Sequence, residues 1–168
     1  MQQQGSSLPS GLAHLLALLF AKRIVVSGWS MTPTLLPGEH VLVNRLAYRR
    51  NLPAPGEVVL VVDPRDSRTL FVKRVLACPG DTVEITSEGL LVNGTLAYDL
   101  GPSDANQPQT TQTAWNLRAD EYFLVGDAAD IHSAMSTDSR TFGPVPRKLI
   151  RGRVWMVYWP PPHVRRGT

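Results

Sequence analysis

Cysteine is almost absent from this sequence of 168 residues, in which Cys78 is the only one. A single cysteine excludes an intramolecular disulfide and any metal site built from several thiolates. A chain of this length can bury a sufficient core without such crosslinks. The sequence therefore predicts one domain, with a short appendage at most, that packing alone stabilises.

Charged residues are also scarce, at 18% of the sequence, and they leave a net charge of only +3. This composition argues against a disordered chain. The small positive excess does not indicate nucleic-acid binding, so we expect no nucleic-acid partner. Most basic residues are arginines, because the only lysines are Lys22, Lys73 and Lys148. The position of each lysine is therefore informative.

Long apolar runs are limited to one near the N-terminus, where residues 11–21 carry no charge and Lys22 and Arg23 follow. Residues 8–26 approach the length that a membrane-spanning helix needs. A buried helix and a secretory signal are the alternatives, but no basic residue precedes the run. We interpret residues 1–26 as a tail and a membrane-anchor helix, although the positive-inside rule alone would place the Lys22 end in the cytoplasm.

Glycine and proline, at 13 and 14 residues, separate short downstream segments of alternating polarity. The segments predict strands, which span residues 40–48, 57–62, 69–77, 82–85, 90–93, 122–126 and 154–159. Such strands predict a mainly β domain over residues 27–168, an antiparallel sandwich or partly open barrel that follows one N-terminal apolar helix. Residues 99–114 are polar and lack periodicity, so we expect a mobile surface loop there.

One predicted strand carries a lysine between apolar neighbours, since alternation places Lys73 on the same face as Phe71 and Val75. Burial of an ammonium group is costly, and it lowers the pKa toward the range in which the amine is neutral. A neutral lysine can act as a general base. The alternative is an edge strand whose cations are solvated, and periodicity alone leaves both interpretations open.

Two polar segments could supply partners for such a base. Ser30 lies in a turn rich in glycine and proline that can present its hydroxyl and its backbone N–H groups. A predicted strand ends at Gly126 and Asp127, and Asp138 and Arg140 follow two residues apart. Each segment alone is most simply an ordinary polar turn.

Together and in this order, the segments resemble the type I signal peptidases. The shared motifs are SMTPTL at 30–35, KRV at 73–75, PGD at 79–81, GD at 126–127 and STDSR at 136–140. With the preceding apolar run, the resemblance covers residues 12 to 159, which is nearly the whole chain.

The resemblance implies a membrane-bound serine endopeptidase, a hydrolase that removes signal peptides from exported preproteins after Ala-x-Ala-like sites. It implies that Ser30 is the nucleophile, that the Ser30 backbone N–H stabilises the oxyanion, and that Lys73 is the general base. These roles agree with the apolar neighbours of Lys73, because a serine hydroxyl is a weak nucleophile until a nearby base accepts its proton. No metal and no cofactor is implied.

Four further residues receive supporting roles from the same resemblance. Ser136 would orient the lysine amine, and Asp127 would hold the loop near the site. Asp138 and Arg140 would form an ion pair.

The expected location is the cell membrane, crossed once by the anchor, with the catalytic domain on the extracytoplasmic side. The expected partners are preprotein signal peptides, the lipid bilayer and the secretion machinery. Trp29 and Met31 are candidates for the substrate pocket or for a membrane-facing surface, since aromatic residues favour the interface.

The sequence departs from the family in three places. Gly28 stands where many relatives have a serine that donates to the oxyanion, and Ala128 stands where the family has an asparagine. A longer segment than usual separates Gly126 from Ser136, so Ser133 is an alternative to Ser136.

Three other functions stay open. A serine hydrolase could use His40 or His132 with a nearby aspartate, although this leaves Lys73 unexplained. A soluble self-cleaving regulator also uses serine and lysine, but here an apolar run takes the place of its DNA-binding segment. The third alternative is a catalytically silent, membrane-anchored β module that binds proteins.

Overall fold

The computed structural model describes residues 21–86, 89–99, 113–128 and 137–160. These residues are mostly strands, namely β1 (Ala21–Val25), β2 (His40–Asn44), β3 (Val58–Val62), β4 (Leu70–Ala77), β5 (Thr82–Ile85), β6 (Gly89–Val92), β7 (Thr95–Asp99), β8 (Thr113–Asn116), β9 (Glu121–Val125), β10 (Val145–Pro146) and β11 (Ile150–Trp159). A short helix, α1 (Ser139–Phe142), and a 3-10 turn (Arg147–Leu149) lie between β9 and β11. The mainly β prediction is confirmed.

The strands form two antiparallel sheets. The larger sheet has seven strands in the order β1-β2-β11-β3-β4-β9-β10, and the smaller has four in the order β7-β6-β5-β8. Phe123 and Val125 of β9 pack with residues of the smaller sheet, whereas Leu124 packs with β3 and β4. Strand β9 therefore joins the cores of the two sheets.

Strand β3 shows why the larger sheet has a core on both faces. Its sequence is VVLVV, and four of the five residues are buried. Leu60 packs in one core cluster, while Val59 and Val61 pack in another on the opposite face. A continuous apolar run is typical of a strand buried on both sides.

The N-terminal boundary of the β domain differs from the prediction. Residues 21–25 were assigned to the anchor helix, but they form β1 and pair with β2 from Ala21 to Val25. Ile24 and Val25 are β-branched, which favours a strand, and Lys22 and Arg23 suit the edge of a sheet. Residues 1–20 lie outside the described residues. In the described ranges no helix is long and apolar enough to cross a membrane.

The predicted loop over residues 99–114 is also too long at both ends. Asp99 is the last residue of β7 and pairs with Gly89, and Thr113 begins β8 and pairs with Ile85. These polar residues belong to strands because neighbouring strands supply their hydrogen-bond partners. Local composition does not reveal such a tertiary effect. Residues 100–112 lie outside the described residues.

Candidate active site

Ser30 lies in the turn that follows β1, and two core residues hold this turn. Met31 is 1% exposed and Leu35 is 4% exposed, and both pack in a cluster with residues of β2 and β3. The Leu35 N–H donates to the Met31 carbonyl (2.8 Å). Ser30 itself is half-buried. The residues that follow Ser30 in this turn are therefore held in place by the hydrophobic core.

The backbone of Ser30 packs against the end of β9. The Ala128 N–H donates to the Ser30 carbonyl oxygen (3.1 Å). A Cβ at Gly126 would overlap that oxygen and lie 3.2 Å from the Ser30 Cβ. Only glycine permits this approach, because it has no side chain. Gly126 therefore determines how closely the Ser30 turn approaches β9.

Lys73 lies on β4, next to this contact. The pairing of β4 with β9, continued by one residue, places Lys73 opposite Gly126. The lysine side chain is 2% exposed, and this burial lowers the pKa of its ammonium group. The Asp138 carboxylate opposes the shift, whereas the Arg140 guanidinium adds to it. A lowered pKa increases the fraction of neutral amine at neutral pH, as a general base requires.

Asp138 and Arg140 form a buried ion pair. The Arg140 Nε donates to Asp138 Oδ1 (3.0 Å) and its Nη2 to Oδ2 (2.7 Å), with side-chain exposures of 5% and 0%. Asp138 also caps α1 by accepting from the Arg140 backbone N–H (3.0 Å). The Gly126 N–H donates to the same carboxylate (2.9 Å). The ion pair is thereby connected to Gly126, the glycine that contacts Ser30. A supporting role of the ion pair in catalysis stays a prediction.

Asp127 is bound by Arg74, to which the sequence assigned no role. Arg74 donates to both carboxylate oxygens, through Nε (2.7 Å) and Nη2 (2.6 Å). It also donates to the Gly56 carbonyl (2.6 Å) and to the Thr34 hydroxyl (3.3 Å). Arg74 therefore links the end of β9 to the Ser30 turn. A cation in the middle of an apolar strand was the available signal, since such a charge needs a partner.

Tyr98 is another contact that the sequence did not reveal. Its hydroxyl donates to the Gly126 carbonyl (2.7 Å), and the Arg140 guanidinium lies 5.5 Å from its ring centroid. Strand β7, which carries Tyr98, was not predicted. The signal was the Asn93-Gly94 pair, in which both residues have positive φ, as a tight hairpin turn requires.

The contacts between Lys73 and serine side chains that the proposed roles require are not seen in the described residues. In the part of the chain that the structure describes, no hydrogen bond joins the Ser30 hydroxyl to the Lys73 amine. Such bonds often tighten only when substrate binds. Ser136, its alternative Ser133 and His132 lie outside the described residues. The orientation of Lys73 by a serine therefore stays a prediction.

His40 contacts a tyrosine. The Tyr158 hydroxyl lies 3.4 Å from His40 Nδ1, and the two rings meet edge to face with centroids 5.7 Å apart. A serine hydrolase with His40 as its base therefore gains no support from these contacts. Across the described ranges, no group of three or more His, Cys, Asp or Glu could hold a metal ion.

Trp29 and Met31, which we predicted together, lie in opposite environments. Trp29 is 65% exposed, whereas Met31 is 1% exposed. The prediction of a membrane-facing or pocket-lining Met31 is wrong, because its flexible apolar side chain fills the core under the Ser30 turn. Of these two residues, only Trp29 is exposed enough to contact a ligand or a membrane.

Comparison with known proteins identifies the family of the chain. A family profile described as signal peptidase, peptidase S26, matches residues 7–159. The chain is 30% identical to the "Probable signal peptidase I-2" of Synechocystis sp., over 80% of this chain and 62% of that protein. It thus spans less than two thirds of that relative.

Two other relatives are covered more fully. The mitochondrial ATP-independent inner membrane protease subunit 1a of Arabidopsis thaliana is 34% identical, over 81% of this chain and 69% of that protein. The signal peptidase IB of Staphylococcus aureus is 30% identical, over 89% of this chain and 85% of that protein. The chain therefore belongs to the signal peptidase family, peptidase S26, whose members are serine endopeptidases.

Proposed function

We propose that this chain removes signal peptides from exported preproteins, with Ser30 as the nucleophile and Lys73 as the neutral base. The burial of Lys73, at 2% exposure and opposite the glycine that contacts Ser30, is the observation that carries the proposal. A lysine in such a place lacks the solvation that would keep it charged, so its amine can accept a proton.

The reaction proceeds in two stages. The Lys73 amine accepts the proton of the Ser30 hydroxyl as Oγ attacks the carbonyl carbon before the scissile bond. The C–N bond breaks, the proton passes from Lys73 to the leaving amine, and the mature protein departs. Lys73 then accepts a proton from water, whose oxygen attacks the ester. The Ser30–acyl bond breaks, the serine regains its proton, and the signal peptide leaves as a carboxylic acid.

Backbone and loop contacts support both stages. The Ser30 N–H is the oxyanion donor, because a fixed dipole aimed at developing charge stabilises the transition state. The Asp138–Arg140 and Arg74–Asp127 pairs keep the end of β9 beside the Ser30 turn. Ser136 orients the lysine amine. Ala128 keeps the backbone bond to Ser30 although it lacks the amide of the family's asparagine.

Strand β1 suits an extended substrate. It lies at the edge of the larger sheet and leads directly into the Ser30 turn. An extended peptide can add to such an edge by main-chain hydrogen bonds, while small pockets select its side chains. The family resemblance implies cleavage after an Ala-x-Ala-like sequence, for which two shallow pockets beside Ser30 would accept small side chains on one face of the peptide.

The proposed membrane position of the site is supported by the apolar residues before β1 and by two exposed tryptophans. Apolar residues before β1 anchor the chain once in the cell membrane, with the catalytic domain on the extracytoplasmic side. Trp29 and Trp159, at 65% and 55% exposure, are placed at the bilayer interface, where tryptophan is favoured. Preproteins that emerge from the secretion machinery reach the site there.

The decisive experiment is cleavage of a preprotein with an Ala-x-Ala site by the full chain in detergent. Wild type, Ser30→Ala and Lys73→Ala are compared, and the N-terminus of the product is sequenced. Ser27→Ala is the matched serine control, because Ser27 is exposed three residues from the nucleophile. Arg118→Ala controls for loss of a cation, since its side chain is 84% exposed.

Only wild type and the two controls should cleave, and they should cut after the small residue. Cleavage that survives Lys73→Ala but not Ser30→Ala would contradict the lysine base and make His132 the next target. A folded wild type that cuts no preprotein would favour the alternative of a silent binding module. Cleavage only within its own chain would favour the self-cleaving regulator.

A further inference from the structure

A cavity lies at the opposite end of β1 from Ser30. Its volume is about 620 Å³. Ala21 and Lys22, at the start of β1, line it, whereas Ser30 follows the other end of the strand. Leu70, which is 37% exposed, contributes apolar surface above the buried Leu60 and Val62. Four cations surround the cavity: Lys22, Arg45, Arg68 and Arg151.

The four cations are not paired with acids in the part of the chain that the structure describes. None of them forms an ion pair with a described carboxylate, whereas Arg74, Arg140 and Arg153 all do. Two acids, Asp63 and Asp66, lie on the β3–β4 connection, and both accept hydrogen bonds from residues of that connection. Asp63 binds Arg65 (3.0 Å), and Asp66 accepts from the Arg68 backbone N–H (3.0 Å) and from the Thr69 hydroxyl. Asp66 keeps its negative charge, so the four cations around the cavity exceed the described acids near it, and the cavity is net positive.

The positive surface continues beyond the cavity. Arg45 and Arg151 also line a smaller cavity of about 180 Å³, together with Arg49, Arg147 and Lys148. The net charge of the whole chain is only +3, so this concentration of cations is local rather than a general property. Such a patch attracts anions by raising their concentration near the surface.

We propose that the larger cavity binds the phosphate headgroup of an anionic phospholipid. Guanidinium groups bind phosphate oxygens through paired hydrogen bonds, and the volume is that of a small-ligand site. Leu70, which is 37% exposed, gives the glycerol and first acyl carbons an apolar surface, which a purely polar anion would not use. The choice of a lipid rests on the proposed membrane anchor, because Ala21 lines the cavity and also ends the apolar run of residues 11–21.

The test measures thermal unfolding of the full chain in neutral detergent micelles, which accommodate the apolar run in every sample. Phosphatidylglycerol, phosphatidylcholine or inorganic phosphate is added to wild type, Arg68→Gln/Arg151→Gln and Arg118→Gln. The last is the charge-matched control, because Arg118 lies outside both cavities. Arg68→Lys/Arg151→Lys keeps the charge, and circular dichroism verifies that each variant is folded.

Phosphatidylglycerol should raise the Tm of wild type and of Arg118→Gln by about 2–4 °C, and phosphatidylcholine should not. Each neutralised cation should weaken binding about fivefold, so the double Gln variant should lose the shift and the double Lys variant should keep most of it. A shift that survives in the double Gln variant would overturn the proposal. An equal shift with inorganic phosphate alone would show a free-anion site instead of a lipid site. If the double Gln variant unfolds, Arg68→Gln alone should still reduce the shift.

Discussion

The Cα of Gly126 lies so close to Ser30 that a methyl group on it would overlap the Ser30 carbonyl oxygen. Gly126 also donates to Asp138 and accepts from the Tyr98 hydroxyl. One backbone position thus connects the proposed nucleophile to the buried ion pair and to the smaller sheet. The position of the Ser30 turn therefore depends on the close contact between Gly126 and Ser30.

Replacing Gly126 by alanine should therefore lower cleavage by about a hundredfold, because the added methyl displaces Ser30 and a displacement of about 1 Å has that effect. Gly28→Ala is the matched control, since nothing lies within 4 Å of a Cβ there and its φ is ordinary. Preprotein cleavage rates of the two variants give the comparison. Equal rates for Gly126→Ala and wild type would show that the Ser30 position tolerates movement.

Lys73→Met should abolish cleavage and yet raise the free energy of unfolding at acid and neutral pH. The fold lowers the pKa of Lys73 from 10.5, so the folded chain binds fewer protons than the unfolded chain. The buried ammonium group lowers the free energy of unfolding. This loss is complete below the pKa of Lys73 in the folded chain, and it disappears as the pH rises toward the pKa in the unfolded chain. Methionine removes this loss of stability, and we expect a gain of about 1–4 kcal/mol, as for hydrophobic replacement of buried ion pairs.

Urea unfolding of wild type and Lys73→Met across pH 5 to 10 would measure this difference (the range is about that in which a shifted lysine titrates). The stability advantage of the methionine variant should shrink as the pH rises. An advantage that stays constant with pH would mean that Lys73 keeps an ordinary pKa, and it would remove the support for a neutral base.

Asp138→Asn should destabilise the fold by about 3–5 kcal/mol, because it leaves the Arg140 guanidinium buried without its counter-charge. The Arg140 side chain is only 5% exposed. Glu121→Gln is the control for a solvent-screened pair, in which Arg118 is 84% exposed and its Nη1 lies 4.0 Å from Glu121 Oε1. It should cost less than about 1 kcal/mol. Chemical denaturation gives both values, and similar losses would show that burial does not strengthen the Asp138 pair.

Met31→Ala and Trp29→Ala should separate the two neighbours of Ser30. Met31 is 1% exposed in the core, so its truncation should cost about 2–5 kcal/mol of unfolding free energy. Trp29 is 65% exposed, and its truncation should change stability by less than about 0.5 kcal/mol. Thermal and urea unfolding provide the measurement. A large loss for Trp29→Ala would mean that it packs against part of the chain outside the described residues.

Several elements could be predicted from sequence because their signals are local. The apolar residues of β3, the alternation in β4 and the proline–glycine turns all identify strands without knowledge of the partner strands. The same alternation predicts that Lys73 lies on an apolar face of β4, and in the structure its side chain is buried. Strand β8 escaped prediction because its neighbour in the sheet, rather than its own composition, makes it a strand. Strands β1 and β7 had local signals, namely the β-branched Ile24 and Val25 and the Asn93-Gly94 turn, that the prediction did not use.

The sequence by itself determined the family and the candidate pair, since Ser30 and Lys73 lie in motifs whose order is readable along the chain. Only the tertiary structure decided which residues hold that pair in place. Arg74 binds Asp127 across 53 residues, and Tyr98 reaches Gly126 across 28. Such contacts arise from how two sheets pack, and no local periodicity encodes them. Likewise, Met31 and Trp29 are both large and apolar in sequence, and only the packing of the Ser30 turn on the core buries one and exposes the other.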